Sequence, residues 1–218
     1  IMKKLLVGIL LMASAVAGAM AENIKGTVRT TEGEPLAGVV VSDGLNTVQT
    51  DSKGRFEMDT DKDSRFVFIS TPSGYISATL KGETLFYKEI KKKVKSYDFV
   101  VKKNPIDDRK HNLIVIADPQ ISDRTELPEL DKYADDMAEY AKQLTGEYTL
   151  GLCLGDIVGW DHSIYPEYNK IMAKPGFDYR YVIGNHDMTN WGRSHETSMK
   201  DFENMYGLCL YSFNVGDI

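Results

Sequence analysis

Cysteine is scarce in this chain: there are two, Cys153 and Cys209, in 218 residues. Two cysteines make no disulfide framework even in an exported protein. Both stand in apolar, strand-like runs, where cysteine serves as a small buried hydrophobe, so no disulfide is expected. An excess of basic residues is also missing. The net charge is −6, and a general nucleic-acid binder needs a basic face to neutralise phosphates. No nucleic-acid partner is expected. No Gly-x-Gly-x-x-Gly follows the first strand of the second half, which argues against a dinucleotide oxidoreductase. The apolar fraction of 42% is that of a globular protein, so collagen-like, disordered and multi-span membrane classes do not fit.

The longest apolar run, residues 5–16, is short for a membrane span and has no basic stop after it. Lys3 and Lys4 precede it, and Ala19-Met20-Ala21 follows with small residues around a cut before Glu22. This is the pattern of a secretory signal peptide over residues 1–21. A membrane anchor is the competing reading. The expectation is export to the periplasm or the extracellular space, with no stable span after cleavage. No cysteine lies near the cut, so lipid attachment there is not supported.

Residues 22–103 hold no convincing helix. Short runs rich in Val, Ile, Phe and Thr alternate with Gly, Asp, Asn and Pro. Strands are expected at 24–29, 37–42, 47–50, 55–59, 66–70, 84–90 and 96–101, a spacing that reads as a β-sandwich. The segment 91–95 carries four lysines, which reads as a solvated turn or protected edge strand ahead of a phosphate-binding patch. Residues 104–110 are polar, contain Pro105 and read as a linker.

From His111 the pattern changes. Residues 113–117 form a continuous apolar run, expected to be a strand buried on both faces. Leu127, Leu130, Tyr133, Ala134, Met137, Ala141 and Leu144 recur at helical spacing, an amphipathic helix over 127–144. Further strands are expected at 148–154, 179–183 and 211–215, and further helices at 165–173 and 194–206. The alternation predicts a layered α/β domain with a largely parallel sheet over residues 111–218, present only in its N-terminal half.

Three polar clusters follow the three predicted buried strands: Asp118-Pro119-Gln120, Gly155-Asp156 and Gly184-Asn185-His186-Asp187. Ligands of open α/β sheets bind at the carboxyl ends of the strands. Asp118, Asp156, Asn185 and His186 are therefore expected to converge. Carboxylates, amide oxygens and an imidazole suit Mn, Fe, Zn or Mg, and two such ions can clamp the attacking and leaving oxygens of a phosphoryl transfer. Taken singly, each cluster could be a turn or a cap. Asp161, His162 and the two tryptophans, Trp160 and Trp191, follow the second and third clusters; they could line a pocket or merely sit in loops. His195 reads as a polar residue of a helix's first turn.

The order Asp-x-Gln, Gly-Asp, Gly-Asn-His-Asp resembles the opening of the calcineurin-like metallophosphoesterase superfamily, Asp-x-His, Gly-Asp, Gly-Asn-His-Asp/Glu. The β-rich front resembles the N-terminal domain of some bacterial members. The resemblance implies two divalent metal ions, with Asp118 and Gln120 on the first, Asp156 bridging and Asn185 on the second. It implies that Asn185 and His186 contact substrate, that His186 stabilises charge or protonates the leaving group, and that Asp187 orients it. Gln120 stands where the superfamily usually has a histidine. The family's Gly-His-x-His is absent from a chain whose histidines are His111, His162, His186 and His195, so the chain alone is expected to be inactive. The implied activity is hydrolysis of phosphomonoesters or phosphodiesters, with small-molecule, lipid or sugar phosphates as substrates. The competing function is a non-catalytic envelope binding or adhesion protein on a degenerate phosphoesterase scaffold.

Overall fold

The computed structural model describes residues 22–77, 79–80, 83–84, 86–94 and 96–217. The expected signal peptide lies outside the described residues. The front is built from short strands: β1 (Asn23–Thr30), β2 (Val40–Ser42), β3 (Thr47–Gln49), β4 (Arg55–Asp59), β5 (Phe66–Ile69), β6 (Tyr75–Ser77), β7 (Thr79–Leu80), β8 (Glu83–Thr84), β9 (Tyr87–Glu89) and β10 (Phe99–Lys103). Two sheets of four result, ordered β4-β1-β10-β6 and β3-β2-β5-β9, and β7-β8 form a two-stranded pair. Strand β1 shows why: Ile24, Val28 and Thr30 point inward at every second position, the strand period. Both four-stranded sheets feed one core, with Ile24, Val28, Phe56 and Phe99 from the first and Val41, Val67 and Ile69 from the second.

Local chemistry trims the expected strands. The run at 37–42 narrows to β2 because Gly38 takes a φ of 74° and the Gly38 N–H donates to the Thr50 carbonyl. Strand β6 was not legible in the sequence; it begins directly after the Pro72-Ser73-Gly74 turn and pairs with β10. Residues 104–110 are held in place. Asp108, 4% exposed, accepts from the Gly74 N–H at 2.7 Å and the Ser73 hydroxyl at 3.3 Å.

Among the described residues, helices lie in the C-terminal part. The order is β11 (His111–Ile116), α1 (Leu127–Ala141), β12 (Tyr148–Cys153), α2 (Tyr165–Met172), β13 (Asp178–Tyr181), α3 (His195–Ser198) and α4 (Lys200–Tyr206). Strands β11, β12 and β13 lie side by side and parallel. Leu130 and Ala134 of α1 and Tyr168 and Met172 of α2 share a core with Ile116 and Cys153 of the sheet.

Three expectations for this part need correction. The strand at 113–117 is not buried on both faces: Leu113 is 47% and Val115 54% exposed. Helices α1 and α2 share a core with Ile116 and Cys153, whereas Leu113, Val115, Leu154 and Val182 meet solvent. The single helix expected at 194–206 is two. The Thr189 N–H donates to the Ser198 carbonyl at 2.7 Å and the Thr189 hydroxyl accepts from the Asp201 N–H at 3.2 Å. These bonds divert two backbone groups at the joint, where Met199 sits at φ −96°, ψ −4°. Residues 211–215 form no regular strand. The backbone makes one isolated bridge, Phe213 with Thr71, and Tyr211 packs with Leu208 against the front core. The apolar character read as a strand serves that packing.

The two parts meet through mixed contacts. Arg65 pairs with Glu203 of α4 through two bonds of 2.5 and 2.7 Å. The Arg180 guanidinium lies 5.8 Å from the Phe86 ring and 5.5 Å from the Phe213 ring, within reach of cation–π attraction.

Both cysteines are free. Burial pushes the Cys153 thiol up to about 11. Burial, then the Glu203 carboxylate, pushes Cys209 up to about 12. The thiolate is the reactive form, so native protein treated with iodoacetamide at pH 7.5 should keep both thiols unmodified by mass spectrometry and lose both once unfolded. Rapid native labelling of either would contradict the burial assigned to it.

Candidate functional site

The parallel strands deliver the three polar clusters to one edge. The Gln120 N–H donates to the Asp156 carbonyl at 2.8 Å and the Gly159 N–H to the Ile121 carbonyl at 2.8 Å, tying the loops after β11 and β12. The loops after β12 and β13 touch even more closely. A Cβ on Gly184 would fall 2.0 Å from Asp156 Oδ1, and one on Gly155 2.6 Å from the Gly184 nitrogen. Only glycine permits that approach. Asp156, 9% exposed, accepts the His186 N–H on Oδ1 at 2.8 Å.

Backbone strain concentrates here. Among the described residues, the non-glycine residues with positive φ are Asp118 at 47°, Gln120 at 44° and Asp156 at 48°. Each such conformation costs about 1–2 kcal/mol for an L-residue, less for Asn or Asp. Strain of this kind persists where surrounding structure imposes it, and it gathers at functional sites.

His186 is fixed by its neighbours. Its Nδ1 donates to the Gly159 carbonyl, and the Trp160 ring lies over it with centroids 4.3 Å apart. The Gly159 carbonyl only accepts, so Nδ1 carries the proton and Nε2 is the free nitrogen. Asp187 is fully buried. It accepts from the Ile157 N–H at 3.0 Å, the Tyr165 hydroxyl at 3.0 Å and the Gly184 N–H at 2.9 Å. These bonds tie the second and third loops to α2, and the His186 ring is held by Gly159 and Trp160 instead. Burial, and then the Asp187 charge, drives the Tyr165 phenol far above its ordinary range.

Asp118 and Asn185 are exposed and Gln120 half-buried. Asp161 caps the turn His162–Ile164 by accepting from the Ser163 N–H and pairs with Arg124 at 3.3 Å. Trp191 is 87% exposed, and His195 is exposed on the first turn of α3. The positions of Tyr165, Asp201 and the Gly159 carbonyl had no sequence signal, because each acts through a partner 20 or more positions away. A groove of about 600 Å³ lies on the front, bordered by Lys25, Gln49, Asp51, Arg55, Glu57 and Ser96, and none of its lining residues belongs to the three clusters.

With Asp187 buried, the clusters present the carboxylates of Asp118 and Asp156 and the amides of Gln120 and Asn185, oxygen donors suited to hard or borderline divalent ions. Among the described residues, no three His, Cys, Asp or Glu side chains form a metal-holding group. The donor chemistry fits such ions, and the donor count falls short of a complete pair of sites. No helix among the described residues is long and apolar enough to cross a membrane.

Residues 22–104 match the family described as the N terminal of calcineurin-like phosphoesterase. This match supports the superfamily suggested by the three motifs, with its N-terminal domain in front. No curated protein matches the chain.

Proposed function

We propose that this chain, which carries the N-terminal domain of calcineurin-like phosphoesterases, is part of an exported metal-dependent phosphoesterase acting on phosphomonoesters or phosphodiesters. The observation behind the reading is the coincidence of strain and chemistry: Asp118, Gln120 and Asp156, all at positive φ, sit on adjoining loops at one sheet edge. Asp118 and Gln120 would hold one ion, Asp156 would lie between two, and Asn185 would serve the second. A bound ion pair would supply Lewis acidity and an activated water.

The chain's own residues do the rest. With Nδ1 committed to Gly159, His186 directs Nε2 to the substrate side. Acting as an imidazolium, the ring would pass its Nε2 proton to the leaving oxygen as a water oxygen adds to phosphorus and the ester P–O bond breaks, and the proton shed by that water would go to solvent. Asn185, exposed next to it in sequence, would hydrogen-bond a phosphate oxygen. Small-molecule, lipid or sugar phosphates are the proposed substrates, reached in the periplasm or outside the cell through the leader at residues 1–21.

The test is metal analysis and a phosphoester panel on the complete gene product with Mn or Zn added. Co-purified divalent metal and turnover of an aryl phosphate are expected, with no turnover from these 218 residues alone. The second reading, a non-catalytic binding or adhesion protein, is favoured by one observation: no three strong metal-ligating side chains gather among the described residues. A metal-free, inactive complete product would favour it.

A further inference from the structure

His162 occupies a bridge that neither the metal donors nor the leaving-group chemistry uses. Its Nδ1 lies 3.0 Å from Asp201 Oδ2 on α4, and its Nε2 lies 2.9 Å from the carbonyl oxygen of His186. Its ring stacks on Tyr165 with centroids 5.3 Å apart and planes 3° apart. The side chain is 13% exposed. A carboxylate and a peptide carbonyl both accept only, so each ring nitrogen faces an acceptor and the ring spans the two.

Asp201 is itself anchored, because its N–H donates to the Thr189 hydroxyl at 3.2 Å. The hydroxyl of Tyr165, the stacking partner, donates a hydrogen bond to Asp187 at 3.0 Å. The ring therefore joins three pieces: the turn after the second cluster, the peptide of the third cluster and the start of α4. We propose that His162 is a positioning residue that clamps the loop of residues 184–188 onto α4 and so fixes the aim of His186. The kinetic half of this proposal rests on the phosphoesterase reading; the structural half does not.

The test uses the complete gene product and three variants. His162→Phe keeps the stacking surface and removes both hydrogen bonds. Asp201→Leu removes the acceptor from the other side, and Asp201→Asn keeps an acceptor oxygen. Hydrogen exchange followed by mass spectrometry on the peptide covering residues 182–190 reads the clamp directly. Exchange should rise roughly 10-fold or more in His162→Phe and Asp201→Leu and stay within about threefold of wild type in Asp201→Asn. In the same proteins kcat should fall about 10-fold or more, with KM changed less, as for other residues that orient a reacting group. Should Phe at 162 prevent folding, Asp201→Leu carries the same comparison. Unchanged exchange in the folded variants would overturn the clamp. Faster exchange with unchanged kcat in an active enzyme would overturn the positioning role. An inactive wild type would sink the phosphoesterase reading alone, and the exchange data would still decide the clamp.

Discussion

Asp156→Asn in the complete gene product should lower phosphoester turnover by about 100-fold or more and strip much of the bound metal, while leaving the fold intact. The expected intactness comes from the backbone. Asp156 sits at φ 48°, a region that Asn tolerates as well as Asp. An Asn side-chain oxygen can still accept the His186 N–H that Asp156 Oδ1 accepts at 2.8 Å. What vanishes is one negative charge between the loops after β12 and β13. Residues that merely orient metal ligands cost 10–100-fold when changed, so the loss of a bridging carboxylate belongs at or above the upper end. The measurements are kcat/KM on an aryl phosphate, metal content by mass spectrometry and a thermal midpoint, which should move by no more than about 2 °C. Asp156→Ala would be less informative, because Ala at positive φ is strained and the acceptor is lost as well. Turnover within threefold of wild type in Asp156→Asn would remove the bridging role.

Asp187→Ala should be the most damaging single change to the stability of the C-terminal part. The side chain is fully buried, and its oxygens receive two backbone N–H groups and one phenol within 3.0 Å. Truncation leaves all three buried donors without their acceptor. Each orphaned donor costs about 1–3 kcal/mol, and neighbouring losses do not add fully, so a total of about 3–5 kcal/mol is expected. Asp187→Asn should cost less, about 2 kcal/mol, because one oxygen remains while the amide hydrogens face the Gly184 N–H. Urea unfolding followed by circular dichroism checks both. A loss under 1 kcal/mol for Asp187→Ala would show that other groups satisfy the three donors.

Some of this was open to reading from residues alone. Period-two burial in β1 and the exact run of β4 follow from local side-chain pattern, which needs no distant partner. Helix α1 was expected from the spacing of Leu127, Leu130, Ala134 and Met137, and the structure puts Pro128 in its first turn. What stayed hidden depends on contacts between distant positions. Residues 211–215 look like a strand until Tyr211 is seen packing on the front core. The break between α3 and α4 is made by Thr189, which lies well upstream of its partners Ser198 and Asp201. In the site, glycines and carboxylates marked the loops, whereas the partners of Asp187 and His162 could not be guessed from neighbours in sequence.

Four exposed aliphatic side chains, Leu113 and Val115 on β11 and Leu154 and Val182 just past the ends of β12 and β13, bear on how the protein behaves in a test tube. Monomeric soluble proteins seldom expose large apolar patches, and parallel sheets are ordinarily covered on both sides. Concentrated preparations of these residues alone should therefore self-associate and scatter light, more strongly as ammonium sulfate rises. Monodispersity thus belongs among the first checks on any sample prepared for the assays above.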